Sequence, residues 1–173
     1  LSFPYEIDVQ AIDILNSYAR DGMIDIVKLS FPTFFTVLDN YVLLPVGSAI
    51  SESQGPKILS KFCFSIEDTH NFKVALPGKF TTSDILIRFF YKNCSRSYYS
   101  FNEIITAISK GEVDAGVVVN ESRVCYEQYG LNVIGDLGLM WKENLGCALA
   151  LGGLAARRDL EADVIEELCY AVR

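Results

Sequence analysis

Hydroxyl side chains follow several apolar, strand-like runs of this chain, at the points where the runs end. Ser30 follows IVKL, Ser48 follows LLPVG, and Thr81 and Thr82 follow VALPGKF. Strand ends at one edge of a sheet face one crevice, so these groups could converge there. Hydroxyls beside free backbone N–H groups at a helix N-terminus suit a carboxylate or a phosphate. The alternative for Thr81 and Thr82 is plain helix capping.

A polar pair ends a buried-strand pattern further along the chain. Residues 101–121, FNEIITAISKGEVDAGVVVNE, have the pattern of an amphipathic helix, a tight turn and an apolar strand that stops at Asn120 and Glu121. Polar groups at the carboxyl end of an apolar strand are how α/β domains present a ligand site. Glu121 could pair with Arg123 at such a site, or could simply be an acidic residue in a helical first turn.

Two further features lie near the hydroxyl groups of the first strands. The sequence Gly47-Ser48-Ala49 allows the backbone to approach a ligand closely, or forms a tight turn only. Lys28, two residues before Ser30, could pair with an anion or could be a solvated strand residue.

Hydrophobic periodicity places these groups on alternating helices and strands. Asp8 and Gly22 are suited to cap the start and end of the first helix, and Gly111 suits the end of a later one. The predicted helices cover approximately residues 8–20, 32–38, 81–91, 102–109, 121–129, 140–144 and 159–172, and the predicted strands cover 25–30, 41–46, 74–78, 98–101, 115–119, 131–138 and 147–158.

This alternation predicts an α/β protein with mostly parallel sheets and helices on their faces. A polar break near residues 67–72 separates two groups of strands. We therefore predict two lobes with a cleft between them. Residues 1–71 and 139–173 form the first lobe, and residues 72–138 form the second.

Composition excludes several classes of protein. The 173 residues are 50% hydrophobic and carry a net charge of −7 without a basic cluster, which disfavours nucleic acid as a partner. Five scattered cysteines without a CxxC motif and a single histidine, His70, make a metal site improbable and indicate reduced thiols in the cytoplasm. The sequence has no apolar run long enough for a membrane and no P-loop, dinucleotide fingerprint or GxSxG motif. These residues alone indicate a two-lobed binder of a small molecule.

A series of short motifs gives the chain a resemblance to a known family. In order they are KLSF (28–31), the 41–56 stretch with its GSA and GP, ALPGKFTT (75–82), GEVDAGVVVNESR (111–123), DLG (136–138) with Trp141, and LGG (151–153). Their order and spacing resemble the menaquinone-biosynthesis family of the futalosine pathway. The 1,4-dihydroxy-6-naphthoate synthase branch matches them better than the chorismate dehydratase branch.

The resemblance implies a periplasmic-binding-protein type II fold that serves as a cytoplasmic lyase without a metal or a cofactor. Its substrate would be the small carboxylate cyclic dehypoxanthinyl futalosine, and its product 1,4-dihydroxy-6-naphthoate. Ser30, Ser48, Thr81 and Thr82 would contact the ligand and its carboxylate, together with the backbone at Gly47 and Ala49. No nucleic acid or membrane partner is implied, and the oligomeric state stays open between monomer and homodimer.

The chain departs from the family pattern at the catalytic position. The family has His-Glu where this sequence has Asn120-Glu121. A histidine can take a proton near neutral pH, whereas an asparagine amide only donates and accepts hydrogen bonds. Asn120 would then hold or orient the substrate, and Glu121, or a residue outside this chain, would accept the proton. The alternative function is a non-catalytic, two-lobed binding protein for a small carboxylate. Against the family the chain also looks shortened at both ends.

Overall fold

The computed structural model describes residues 3–64, 72–119 and 126–173. Contacts divide the chain into two compact units: the first comprises Leu1–Ile50, Phe80–Thr82 and Ala150–Arg173, and the second comprises Ser51–Lys79 and Ser83–Leu149. The described helices are α1 (Ile12–Asp21), α2 (Phe31–Phe34), α3 (Thr82–Phe90), α4 (Phe101–Lys110), α5 (Leu137–Leu145) and α6 (Ala162–Val172). The strands are β1 (Ile26–Ser30), β2 (Tyr41–Leu43), β3 (Ala49–Ser51), β4 (Lys57–Ser60), β5 (Lys73–Leu76), β6 (Ser95–Tyr98), β7 (Ala115–Val118), β8 (Asn132–Asp136) and β9 (Leu149–Arg157).

The first unit is built on the long strand β9, which lies between β1 and β2 and also pairs with β3. Both β1 and β2 run antiparallel to β9. Apolar side chains cover both faces of this sheet. Ala19 of α1 packs with Val27 and Leu29 on one face, and Cys169 of α6 packs with Ala156 on the other.

The second unit contains a five-stranded sheet in the order β6-β5-β7-β4-β8. The strand β5 runs parallel to β6 and β7, whereas β4 runs antiparallel to β7 and β8. The apolar face of α4 packs on this sheet through Ile104 and Ile108, which are fully buried beside Leu59 and Ala75. A glycine at position 116 lets α4 approach β7, because a Cβ there would lie 2.6 Å from the Ile104 side chain.

The expectation of mostly parallel sheets is wrong. In the first sheet β1 and β2 run antiparallel to β9, and the second sheet is mixed. Sequence periodicity reports which residues are buried but not the direction of the neighbouring strand. The strands β3 and β4 were not predicted either, because they flank the polar run SESQGP, which reads as a loop.

Several predicted helix ends hold, whereas α1 and α2 are shorter than expected, α5 begins three residues earlier and α6 begins three residues later. Gly22 and Gly111 adopt the left-handed conformation directly after α1 and α4, as predicted. Asp8 does not cap α1, which begins only at Ile12; the Asp8 carboxylate instead accepts a hydrogen bond from Gln10 at 2.8 Å.

The helix after Pro32 ends at Phe34 instead of near residue 38. The short strand expected at 98–101 lies three residues earlier, at Ser95–Tyr98, since Ser100 and Glu103 bond to each other where α4 begins.

The packing units differ in extent from the predicted lobes. The strand β4 pairs with β7 and β8, so its residues belong to the second unit and not to the first. Helix α5 belongs to the same unit, and its first N–H donates to the carbonyl of Pro56 at 2.9 Å. Conversely, Phe80–Thr82 packs with the first unit.

Candidate functional site

Two adjacent glycines of β9 let other backbone segments come close to this strand. Gly152 pairs with Ser30, and a Cβ at Gly152 would lie 2.5 Å from the carbonyl oxygen of Leu29. A Cβ at Gly153 would lie 3.2 Å from the Ser48 hydroxyl. Glycines inside a strand often mark such a close approach. The pair therefore brings Ser30 and Ser48 to neighbouring positions of one strand.

The predicted threonines reach the same strand one residue earlier. The Thr82 hydroxyl donates to the carbonyl of Leu151 at 2.6 Å. Thr81 and Thr82 are both buried, and both belong to the first unit with Ser30 and β9. Ser30, Ser48 and Thr82 thus lie against three consecutive residues of β9, although they are up to 52 positions apart in sequence.

Ser30 is fixed by a buried asparagine on α1. The Ser30 backbone N–H donates to Asn16 Oδ1 at 2.9 Å, and Asn16 Nδ2 donates to the Ser30 hydroxyl at 3.2 Å. Asn16 is 2% exposed and Ser30 is 4% exposed. Because the hydroxyl accepts this bond, its own proton remains available for another acceptor. Such an oriented donor suits a carboxylate oxygen.

Lys28 supports the loop that carries Gly47, Ser48 and Ala49. Its ammonium donates to the Gly47 carbonyl at 2.5 Å, so Lys28 has a partner within the protein and is not simply a solvated strand residue. Burial lowers the pKa of Lys28, because a low-polarity environment disfavours the charged form. Gly47 has φ 71°, a left-handed conformation that favours glycine. The loop is exposed at Gly47 and Ser48, whereas Ala49 is half-buried at the start of β3.

The predicted catalytic residues Asn120 and Glu121 lie outside the described residues, as do Arg123 and His70. Their roles stay predictions. Within the described ranges, no group of three or more His, Cys, Asp or Glu side chains could hold a metal ion. Across these same ranges, every helix is too short or too polar to cross a bilayer.

Sequence reasoning overlooked Asn16 and the role of the two β9 glycines. Asn16 lies on the buried side of α1 together with Ile12, Leu15 and Ala19, where an amide must find partners. A polar residue on an otherwise apolar helical face was the available signal. The glycines appear in the sequence as LGG, a motif that contributes to the family resemblance but does not by itself indicate which segments approach the strand.

Comparison with known proteins places these observations in a class. The ligand-binding component of an ABC-type import system from Staphylococcus aureus superposes with a TM-score of 0.66 at 13% identity, over 88% of this chain and 55% of that one. A likeness at this identity concerns the fold alone. The chain thus has an α/β fold of the periplasmic-binding-protein type II kind.

A family model described as Menaquinone biosynthesis matches residues 1–173, and the chain belongs to this family. It is 34% identical over 170 residues to a 1,4-dihydroxy-6-naphthoate synthase of Thermus thermophilus, covering 98% of this chain and 62% of the relative. The corresponding enzyme of Streptomyces coelicolor is also 34% identical, over 94% of this chain and 59% of the relative.

A crystal structure from Archaeoglobus fulgidus superposes with a TM-score of 0.91 at 30% identity, over 96% of this chain and 62% of that one. This chain therefore spans about three fifths of the length of these three proteins.

Proposed function

We propose that the protein is a cofactor-independent lyase that converts cyclic dehypoxanthinyl futalosine to 1,4-dihydroxy-6-naphthoate. The observation that supports this most is the meeting of Ser30, Ser48 and Thr82 along residues 151–153 of β9. Membership of the family and the naming of two relatives as 1,4-dihydroxy-6-naphthoate synthases supply the reaction.

The Ser30 and Ser48 hydroxyls have the chemistry that a carboxylate needs, whereas the Thr82 hydroxyl already donates its one proton to Leu151 and would act through the helix start that it opens. Ser30 offers a proton that Asn16 leaves free, and Ser48 is an exposed hydroxyl beside Gly153. Thr81 and Thr82 directly precede and open the nine-residue helix α3, whose first N–H groups favour a negative charge. The substrate carboxylate would bind to these groups, with Gly47 and Ala49 presenting backbone to it.

The residues proposed for proton transfer, Asn120 and Glu121, are assigned from the sequence alone. Glu121 accepts the proton in this proposal, and Asn120 orients the substrate through its amide. A positioned general base contributes about 10²–10⁴ in rate. Introducing the imidazole by Asn120→His should therefore raise turnover, because an imidazole can take a proton near neutral pH.

The proposal is tested by incubating the purified protein with cyclic dehypoxanthinyl futalosine and following the release of 1,4-dihydroxy-6-naphthoate by chromatography. We expect product with the natural protein, more product with Asn120→His, and a higher KM with Ser30→Ala. Absence of product from both the natural protein and Asn120→His would refute the lyase. If calorimetry then still detected binding of 1,4-dihydroxy-6-naphthoate, the protein would be a binding protein.

We also propose that the protein works in the cytoplasm on a small-molecule carboxylate. Cys63, Cys94, Cys147 and Cys169 are free thiols in the structure, as suits a reducing compartment. Fractionation of the native cells with detection by antibody tests the location, and a periplasmic signal would contradict it.

A further inference from the structure

Phe80, the residue before the predicted ligand-binding threonines, has an unusual backbone. Its φ is 63°, and among the described residues it is the only one other than glycine with a positive φ. A bulky side chain makes this conformation unfavourable. Such residues persist where surrounding contacts hold them, and they cluster at ligand sites.

The carbonyl of Phe80 is held by Thr33. The Thr33 hydroxyl donates to this carbonyl oxygen at 3.1 Å, and Thr33 itself is fully buried in α2. The peptide unit is planar and trans, so the Phe80 carbonyl and the Thr81 N–H point in opposite directions. Fixing the one atom fixes the direction of the other. Thr33 follows Ser30 by three residues. The same short stretch of chain therefore carries Ser30 and the residue that contacts the segment 80–82.

The ring of Phe80 is held by Arg20. The guanidinium carbon lies 4.5 Å from the ring centroid, within the range of a cation–π interaction. Arg20 is in the last turn of α1, four residues after Asn16. Residues four apart share one face of a helix. One face of α1 therefore contacts both Ser30, through Asn16, and Phe80, through Arg20.

We propose that Arg20 and Thr33 are positioning residues that hold Phe80 in its left-handed conformation and so set the geometry of Thr81 and Thr82 for the carboxylate. This inference rests on the proposed function, because it assumes that the threonine segment binds the substrate. Neither residue contacts the ligand in this account. Both act through the backbone of the segment 80–82.

The main test compares three threonine variants in two assays. Thr33→Val removes the hydroxyl and keeps the shape, Thr33→Ser keeps the hydroxyl, and Thr36→Val is the matched control. Thr36 is an exposed threonine three residues further along the chain, and its hydroxyl donates to the Thr33 carbonyl at 2.7 Å and not to Phe80. The first assay is hydrogen exchange of the backbone amides at 80–82 without ligand. The second is the dissociation constant of 1,4-dihydroxy-6-naphthoate by calorimetry.

We expect Thr33→Val to speed exchange at residues 80–82 and to weaken binding about tenfold, the effect of losing one well-placed hydrogen bond. Thr33→Ser should restore both values, and Thr36→Val should change neither. Arg20→Leu should act in the same direction with a smaller effect, since Arg20 is exposed and a cation–π contact is weaker there.

Three results would overturn the inference in distinguishable ways. Unchanged exchange at 80–82 in Thr33→Val would mean that Phe80 is not held by this bond. Faster exchange with unchanged affinity would mean that the hold does not serve the ligand, while the proposed function stands. If the natural protein bound no 1,4-dihydroxy-6-naphthoate, the proposed function would fail, and the positioning role would fail with it.

Discussion

The bond pair between Asn16 and Ser30 leads to a quantitative prediction about stability. The change is Asn16→Ala, which removes an acceptor for the Ser30 N–H and a donor to the Ser30 hydroxyl. Both residues are almost completely buried, so water does not easily replace the lost partner. The Ser30 N–H would remain buried without an acceptor, the costly outcome for a polar group.

The size of the effect follows from these two bonds. A net hydrogen bond contributes about 0.5–1.5 kcal/mol, and a buried group left unsatisfied costs about 1–3 kcal/mol. We expect Asn16→Ala to lower the free energy of unfolding by about 2–4 kcal/mol. For a chain of this size each kcal/mol lowers Tm by about 2–4 °C, so the fall should be about 4–16 °C.

Urea unfolding followed by far-UV circular dichroism measures this loss. Asn40→Ala is the matched control, because Asn40 is an exposed asparagine of the same unit and should change stability by less than about 0.5 kcal/mol. Equal stability of Asn16→Ala and Asn40→Ala would refute the role assigned to Asn16.

Three further predictions concern a strand of the first unit and two helices of the second. Gly152→Ala should lower the free energy of unfolding in urea by about 1–3 kcal/mol, because its Cβ would meet a backbone carbonyl of β1. Gly153→Ala should cost less, because its Cβ would meet the end of a side chain. A larger loss in Gly153→Ala than in Gly152→Ala would contradict this reasoning. Asp136→Ala should lose about 1 kcal/mol by calorimetric melting, since its carboxylate caps α5 at 3.0 and 3.1 Å; no loss would exclude the cap. Hydrogen bonds from the Ser100 hydroxyl and N–H lower the pKa of Glu103, so this stabilisation is present above the ordinary glutamate pKa and lost in acid. The Tm difference between the natural protein and Ser100→Ala should shrink from about pH 6 to about pH 3, and a growing difference would contradict the sign.

Local signals in the sequence were sufficient for many elements of the fold. Gly22 and Gly111 end their helices because glycine adopts the left-handed conformation readily. The apolar run at Ala115–Val118 is a fully buried strand, as its composition predicts. These features depend on a few neighbouring residues, so they can be predicted without knowledge of the tertiary structure.

Local signals in the sequence do not predict which distant strands pair with each other. The antiparallel placement of β9 between β1 and β2 depends on strands that are more than 100 residues away in sequence. The arrangement of the candidate site could not be predicted for the same reason. Ser30 and Thr82 were predicted as ligand groups from their strand-end positions, but their common neighbour, residues 151–152, follows only from the pairing of β9. The left-handed conformation of Phe80 has no sequence signal at all.

Calorimetric titration of 1,4-dihydroxy-6-naphthoate into the purified protein tests most directly whether the hydroxyls along β9 form a carboxylate site. We predict saturable binding by the natural protein, about tenfold weaker binding by Ser30→Ala, and unchanged binding by Ser17→Ala, an exposed serine on α1. Equal affinity of Ser30→Ala and the natural protein, or no binding by the natural protein, would contradict this assignment.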